Sequence, residues 1–308
     1  RRNERRRKLI AAILDWLDAE DGGSAPPVDA RRPLGARVAM DLLQLVRGRD
    51  RARLVDLLRR TGTDEALCRR IGSGRASERI EAARALALFS APETLWALEE
   101  GLDDRDPEVR LTVASSLVAL QAAPPLTVLI GKLAIGSAEQ SRTLAPIFRE
   151  LAKTRKDEFA AALADPDMPL PALLLVVDAL GRTGDYRLVD DLAPLADHPA
   201  LDVRAQALRA LGSLGHPAAA SVVLGRLDDA AWQVRAQAAI AAGRIGLAEA
   251  APRLRELLAD QVWWMRLRAA QALLALGPVG EGMLTEAAAG SGVAAETAAT
   301  ALAERAQS

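Results

Sequence analysis

Three stretches, VRAQALRALGSLG (203–215), VRAQAAIAAGRIG (234–246) and MRLRAAQALLALG (265–277), are near copies of one another set 31 residues apart. Their arginines are Arg204, Arg235 and Arg266, and their closing glycines are Gly215, Gly246 and Gly277. A fixed period of this size, carried by helix-forming residues, is the signature of stacked helix pairs that share one core. Counting outward by 31 places Arg79 and Arg110 on the same lattice. With one extra residue between the second and third repeats, Arg142 and Leu173 complete a series of seven keyed positions. Leu173 is the one keyed site that is not arginine, and the third and fourth repeats fit the pattern loosely.

Within one period the expected pair is a first helix at 217–227 and a second at 232–245. In the second helix Val234, Ala238, Ala239, Ala242 and Ile245 make one apolar stripe at helical spacing, and Gly246 ends it in a conformation that costs glycine little. Pro107, Pro199 and Pro217 stand at turns or first helical turns, where a missing N–H does least harm. The expected architecture is an all-α, right-handed α-solenoid of about seven helix pairs over 73–280. Capping helices are expected at 34–72 and 281–308, because an end repeat cannot bury both faces. Residues 1–20, with Leu9, Ile13, Trp16 and Leu17 at helical spacing, read as a basic amphipathic helix, and 21–33 (DGGSAPPVDARRP) as a linker.

Composition bounds the function. Apolar residues make up 50% of the chain and aromatics only 3%, so alanine and leucine fill the core. The single Cys68 excludes an internal disulfide framework and fits a reducing compartment. The net charge of -1 hides an asymmetry: residues 1–84 carry +7 and residues 85–308 carry -8. The densest basic run is RRNERRRK at the start. It resembles the cytoplasmic flank of a transmembrane helix, so one expectation is a membrane tether upstream of Arg1 and a cytoplasmic location at the inner-membrane face. An Arg-rich solvated helix start is the alternative.

The pattern D-x-x-x-VR-x-x-A-A/L-x-A-L-x-x-LG, seen at 106–120 and with variation in the three closing repeats, resembles the HEAT repeat, in particular the short bacterial type also found in relatives of phycobilin lyases. The resemblance implies a solenoid fold. It constrains function weakly, because such arrays host unrelated roles. Deoxyhypusine hydroxylase, a metalloenzyme of this kind, uses His-Glu pairs, whereas His198 and His216 here each precede proline. No zinc spacing, phosphate-binding loop or nucleophile elbow occurs. No catalytic residue, metal or cofactor is therefore expected.

Two polar or aromatic patterns remain. The arginine ladder (Arg79, Arg110, Arg142, Arg204, Arg235, Arg266) reads as a structural brace to turn carbonyls and to Asp104, Asp106, Asp202, Asp229 or Asp260. An anion-binding row is its functional alternative. Trp232 and Trp263 are equivalent, each three residues before its key arginine, and Trp264 adjoins the second. Tryptophan suits an interface anchor. The inner face of the stack should present positions two and five past each key residue, among them Gln206, Arg209, Gln237 and Arg268. At Leu144, Ile147 and Leu175 that face would be an apolar strip fit for a partner helix, unless a local phase shift buries it. The leading expectation is a non-enzymatic scaffold for a protein partner, with no nucleic acid. HEAT-like nucleic-acid binding and a bilin-lyase-like chaperone or enzyme are the alternatives.

Overall fold

The computed structural model describes residues 2–19, 26, 33–136 and 138–306, and is all helical there. The expected linker at 21–33 lies outside the described residues, apart from Pro26 and Pro33. The chain divides into two compact units, 1–134 and 135–308.

The first unit holds α1 (Arg2–Asp18), α2 (Pro33–Leu43), α3 (Gly48–Arg60), α4 (Thr63–Ile71), α5 (Ala76–Leu86), α6 (Pro92–Gly101), α7 (Pro107–Ala119) and α8 (Leu126–Leu133). Ile13 and Leu17 of α1 are buried with Val38, Leu42, Leu54, Leu58 and Phe89 in one cluster. The end of α1 is tied down by Arg53. Its guanidinium donates to the carbonyls of Leu17 at 2.7 Å and Trp16 at 3.0 Å, and lies over the Trp16 ring at 4.7 Å. One side chain thus satisfies orphan carbonyls at the helix end and adds a cation–π contact. The basic residues Arg5, Arg6, Arg7 and Lys8 face water. Among the described residues no helix is long and apolar enough to cross a membrane.

The second unit holds α9 (Ala138–Thr154), α10 (Lys156–Ala162), α11 (Leu170–Gly181), α12 (Val189–Leu192), α13 (Leu201–Leu214), α14 (Ala220–Gly225), α15 (Trp232–Ile245), α16 (Ala251–Glu256), α17 (Trp263–Ala275), α18 (Pro278–Ala288) and α19 (Val293–Ala306). The helix expected at 217–227 is a short α-helix, α14, flanked by 3-10 turns at Pro217–Ala219 and Arg226–Asp228. The segments around α12 and α16 are built the same way. The second helix of that repeat, α15, has the expected bounds. α13 and α15 end on Gly215 (φ +68) and Gly246 (φ +81), in the left-handed region glycine enters freely.

Helices α11, α13, α15 and α17 pack one on the next, and a second 31-residue series explains how closely. An added Cβ on Gly181 would sit 2.5 Å from the Ala210 side chain. One on Gly212 would sit 2.8 Å from the Ala241 Cα, and one on Gly243 3.2 Å from the Ala272 Cα. Glycine on one helix thus meets alanine on the next, repeat after repeat. That accounts for an interior built of alanine and leucine with few aromatics: the backbones approach until only small residues fit between them.

The third repeat departs from the lattice. In α13 the buried residues are Val203, Ala207, Leu208, Ala210, Leu211 and Gly212, starting one before the key Arg204. In α9 they are Leu144, Ile147, Phe148, Leu151 and Ala152. That set does not fall at the positions that Arg142 as the keyed residue would give. Leu144, Ile147 and Leu175, expected as an exposed apolar strip, are therefore corrected to core, at 4%, 7% and 4% exposure. Leu175 is covered on α11, which is packed between α9 and α13.

Candidate functional site

The turns before α7, α15 and α17 share one design. Asp104, Asp229 and Asp260 stand three residues before each helix start. A carboxylate oxygen of each accepts the backbone N–H two residues on, at 2.8, 2.9 and 2.9 Å. The arginine of the preceding repeat reaches across to the same carboxylate. Arg79 donates through Nε (2.6 Å) and Nη2 (2.9 Å) to Asp104, Arg204 through Nε (3.0 Å) and Nη2 (3.1 Å) to Asp229, and Arg235 through Nη2 (2.7 Å) to Asp260. From the other side the repeat's own arginine donates Nη1 to the backbone carbonyl of that aspartate: Arg110 to Asp104, Arg235 to Asp229 and Arg266 to Asp260, at 2.8, 2.8 and 2.9 Å. Each turn is clamped by charge-assisted bonds from the preceding repeat's arginine and from its own.

The exceptions follow the same logic. Leu173 has no guanidinium to offer, and His198 replaces aspartate in the turn it would have reached. The His198 Nδ1 accepts the Ala200 N–H at 3.1 Å, so the turn keeps its cap without a carboxylate. Arg142 is exposed on α9 and makes no such clamp. Asp106 caps α7 through the Glu108 N–H, and Asp202 is an exposed first-turn residue of α13.

Burial pushes the Asp104 and Asp229 carboxyls up. The facing Arg79 and Arg204 and the Asp106 and Ala231 N–H groups outweigh it and hold both below the ordinary carboxylate range. A carboxylate lowered by folding stabilises the fold above its unfolded pKa, about 3.9, and loses that contribution as pH falls through its lower folded value. The melting temperature should therefore be nearly flat from pH 8 to 5, drop below about pH 4, and drop less steeply in Asp229→Asn. Thermal melts that stay level down to pH 3 would contradict this.

A different row lies along the starts of the second helices. The first residues of α11, α13, α15, α17 and α19 are Leu170, Leu201, Trp232, Trp263 and Val293. Four of them are exposed, at 41%, 39%, 55% and 48%, while Trp232 is half-buried. Trp264 adds a further ring at 51% exposure, edge-on to Trp263 with ring centroids 4.6 Å apart. In the first unit the corresponding residues of α5 and α7 are Ala76 and Pro107. The sequence reading found the two equivalent tryptophans but missed Leu170, Leu201 and Val293, which the same offset of three before the key residue would have found for the first two.

The positions two and five past the key residue are more modest. Gln206 is half-buried and donates to Asp178 at 3.3 Å, and Asp178 also accepts from Arg149 at 2.7 Å. Arg268 is half-buried and bonded to Gln271 at 2.8 Å. Gln237 is half-buried and Arg209 is exposed. This face is polar, and Gln206 and Arg268 on it are paired within the chain. Among the described residues no group of three His, Cys, Asp or Glu side chains could hold a metal. Burial pushes the Cys68 thiol up, opposite to what a nucleophile requires.

Residues 157–233, 189–275 and 221–307 match the family of HEAT repeats in three overlapping windows. No curated protein matches the chain significantly by sequence. Among solved structures, the karyopherin Kap121p bound to the SUMO protease Ulp1p is similar at a TM-score of 0.52 and 13% identity, over 97% of this chain. Kap121p bound to the extreme C-terminus of the protein phosphatase Cdc14p is similar at 0.50 and 12%, over 96%. This chain spans 41% of the karyopherin. Human deoxyhypusine hydroxylase in complex with glycerol shares 19% identity over 89% of this chain and 98% of its own, at a TM-score of 0.37 that carries no argument. The likeness shows the fold: residues 157–307 are HEAT repeats in an α-solenoid.

Proposed function

We propose that this HEAT-repeat protein is a non-enzymatic scaffold that holds an extended segment of a protein partner along the row of helix starts in its second unit. The observation that carries this reading is the succession of exposed apolar side chains on neighbouring helices, Leu170, Leu201, Trp263 with Trp264, and Val293, with Trp232 half-buried among them. Scattered apolar residues on a surface mean little, but exposed apolar residues on successive helix starts, with an aromatic pair among them, are what an interaction surface looks like. At about 8–10 Å between packed helices, five successive starts span about 32–40 Å, the reach of some 10–12 extended residues. That length suits a peptide better than a small molecule. The karyopherin of similar fold, bound in its own structures to protein partners, supports the same class of ligand.

Charge argues in the same direction. Phosphate neutralisation needs a basic surface, and residues 85–308 carry -8. Attachment through a tether upstream of Arg1, at the cytoplasmic face of an inner membrane, belongs to this reading because the basic start of α1 is exposed.

The test uses random dodecapeptides displayed on phage and selected on the intact chain. Trp263→Ala and Trp264→Ala should each weaken capture of the selected peptides by about 30-fold, the scale of an interface anchor, with helicity unchanged. Equal capture by both variants would remove this edge from the site, and failure to enrich any sequence would remove the reading itself.

A further inference from the structure

The first unit contains an open cavity of about 1130 Å³, walled by the end of α4, the turn at 72–74, one side of α6 and the turn after it. Pockets for drug-sized ligands run to roughly 300–1,000 Å³, so this one has room for several residues of a chain. Trp96 of α6 stands in it 62% exposed, more than any other tryptophan. So large an apolar ring left in water forgoes the burial that tryptophan normally gains. Glu93 lies one helical turn before it and Glu100 one turn after, a spacing that puts both on the Trp96 side of α6. Both are exposed and both line the cavity. Among the described residues neither carboxylate has an ion-pair or hydrogen-bond partner.

Most other charges of the cavity are already paired. Arg79 and Asp104 hold each other in the clamp, Lys132 holds Asp103, and Arg69 faces Glu65 at 3.9 Å. The remaining cation, Arg105, lies near Asp104, whose carboxyl it helps to hold below the ordinary range. An exposed indole between two unpaired carboxylates is complementary to a cation with a flat face. We propose that the cavity receives an arginine side chain from an extended segment of a protein partner, its guanidinium against the Trp96 ring and its N–H groups on Glu93 and Glu100. The face of an indole attracts a cation. A guanidinium stacks on the ring and forks to a carboxylate at once, which the compact, strongly hydrated ammonium of lysine cannot do. The same unit already pairs these groups internally, with Arg53 over the Trp16 ring at 4.7 Å. This inference stands on the first unit alone and does not depend on the row of helix starts.

The experiment sorts the dodecapeptides selected on the intact chain by which variant fails to capture them. One set should be lost in Trp96→Ala and kept in Trp263→Ala, and its members should share an arginine. Binding of such a peptide should fall about 10-fold or more in Trp96→Ala and in the double change Glu93→Gln with Glu100→Gln. Melting temperatures should stay level, because all three side chains are exposed. Replacing the peptide's arginine by lysine should cost about 3-fold or more, and by uncharged citrulline about 10-fold or more. Cys68, the chain's one cysteine, lines the same cavity, so saturating peptide should slow its alkylation by iodoacetamide. Alkylation at full speed would place the peptide elsewhere and overturn the proposal. So would a Trp96-dependent set without arginine, unchanged binding in the double glutamine variant, or no Trp96-dependent set at all. A dimer in sedimentation that Trp96→Ala abolishes would put the basic start of a second copy's α1 in the cavity and overturn the separate partner. Loss of only the Trp263-dependent set would count against the row of helix starts and leave this cavity standing.

Discussion

Replacing Gly212 by valine should be among the most damaging single changes in the second unit. The first added atom would stand 2.8 Å from the Ala241 Cα and 2.9 Å from its Cβ. Backbone is the obstacle, so no side chain can swing away, and α13 must part from α15. Overpacking of a rigid contact costs about 1–3 kcal/mol and more where backbone must shift, and two β-branched methyls on a helix add χ1 crowding. We expect a loss of about 3 kcal/mol or more in urea unfolding. The control is Gly225→Ala, at a helix position with nothing within 4 Å of an added Cβ. It should be neutral or slightly stabilising. Equal stability of Gly212→Val and the unmodified chain would mean that the helices do not approach as described.

The second large effect is expected at the clamp. Arg204→Ala leaves the Asp229 carboxylate, 5% exposed, without its fork. What remains to it is the Ala231 N–H at 2.9 Å and the more distant Arg226 at 3.7 Å. The loss is that of an uncompensated, largely desolvated charge and should reach about 3 kcal/mol. Adding Asp229→Ala to Arg204→Ala should recover part of it, because the stranded charge is then gone, and a double-mutant cycle in urea measures the coupling. Strict additivity of the two single changes would show that the pair contributes no coupling and that the arginine acts only through its carbonyl bonds to His198 and Pro199.

The fold was legible because its determinants recur on one period. Arginine, closing glycine and alanine stripe repeat every 31 residues, and each recurrence is a local choice that agrees with the others. The interior glycines at 181, 212 and 243 sit on that period too, but spacing cannot say what a glycine touches. Their role emerged only from the helix-to-helix distances. The lattice failed at Arg142 because an arginine happened to fall where counting placed it. The buried set of α9 follows another register, which no side chain marks in the sequence. Leu144 and Ile147 looked available for a partner for that reason alone.

The site was half legible. Trp232 and Trp263 stood out as equivalent aromatics, and the aspartates near the turns were visible as partners for arginine. The rest of the row was hidden because leucine and valine look alike whether they are buried or exposed, and only their place at the first residue of a helix turns them outward.

Each helix pair of the second unit should behave as an exchangeable slab of one uninterrupted interior. Deleting the 31 residues 201–231, which joins Ala200 to Trp232, tests this most directly. Gly181 would then face Ala241 in place of Ala210, glycine against alanine as before. Circular dichroism and urea unfolding of the shortened chain should show helicity per residue equal to that of the full chain and a single cooperative loss of it, whereas removing 20 residues from the same place should abolish both. A 31-residue deletion that unfolds, or a 20-residue deletion that folds as well, would contradict the claim.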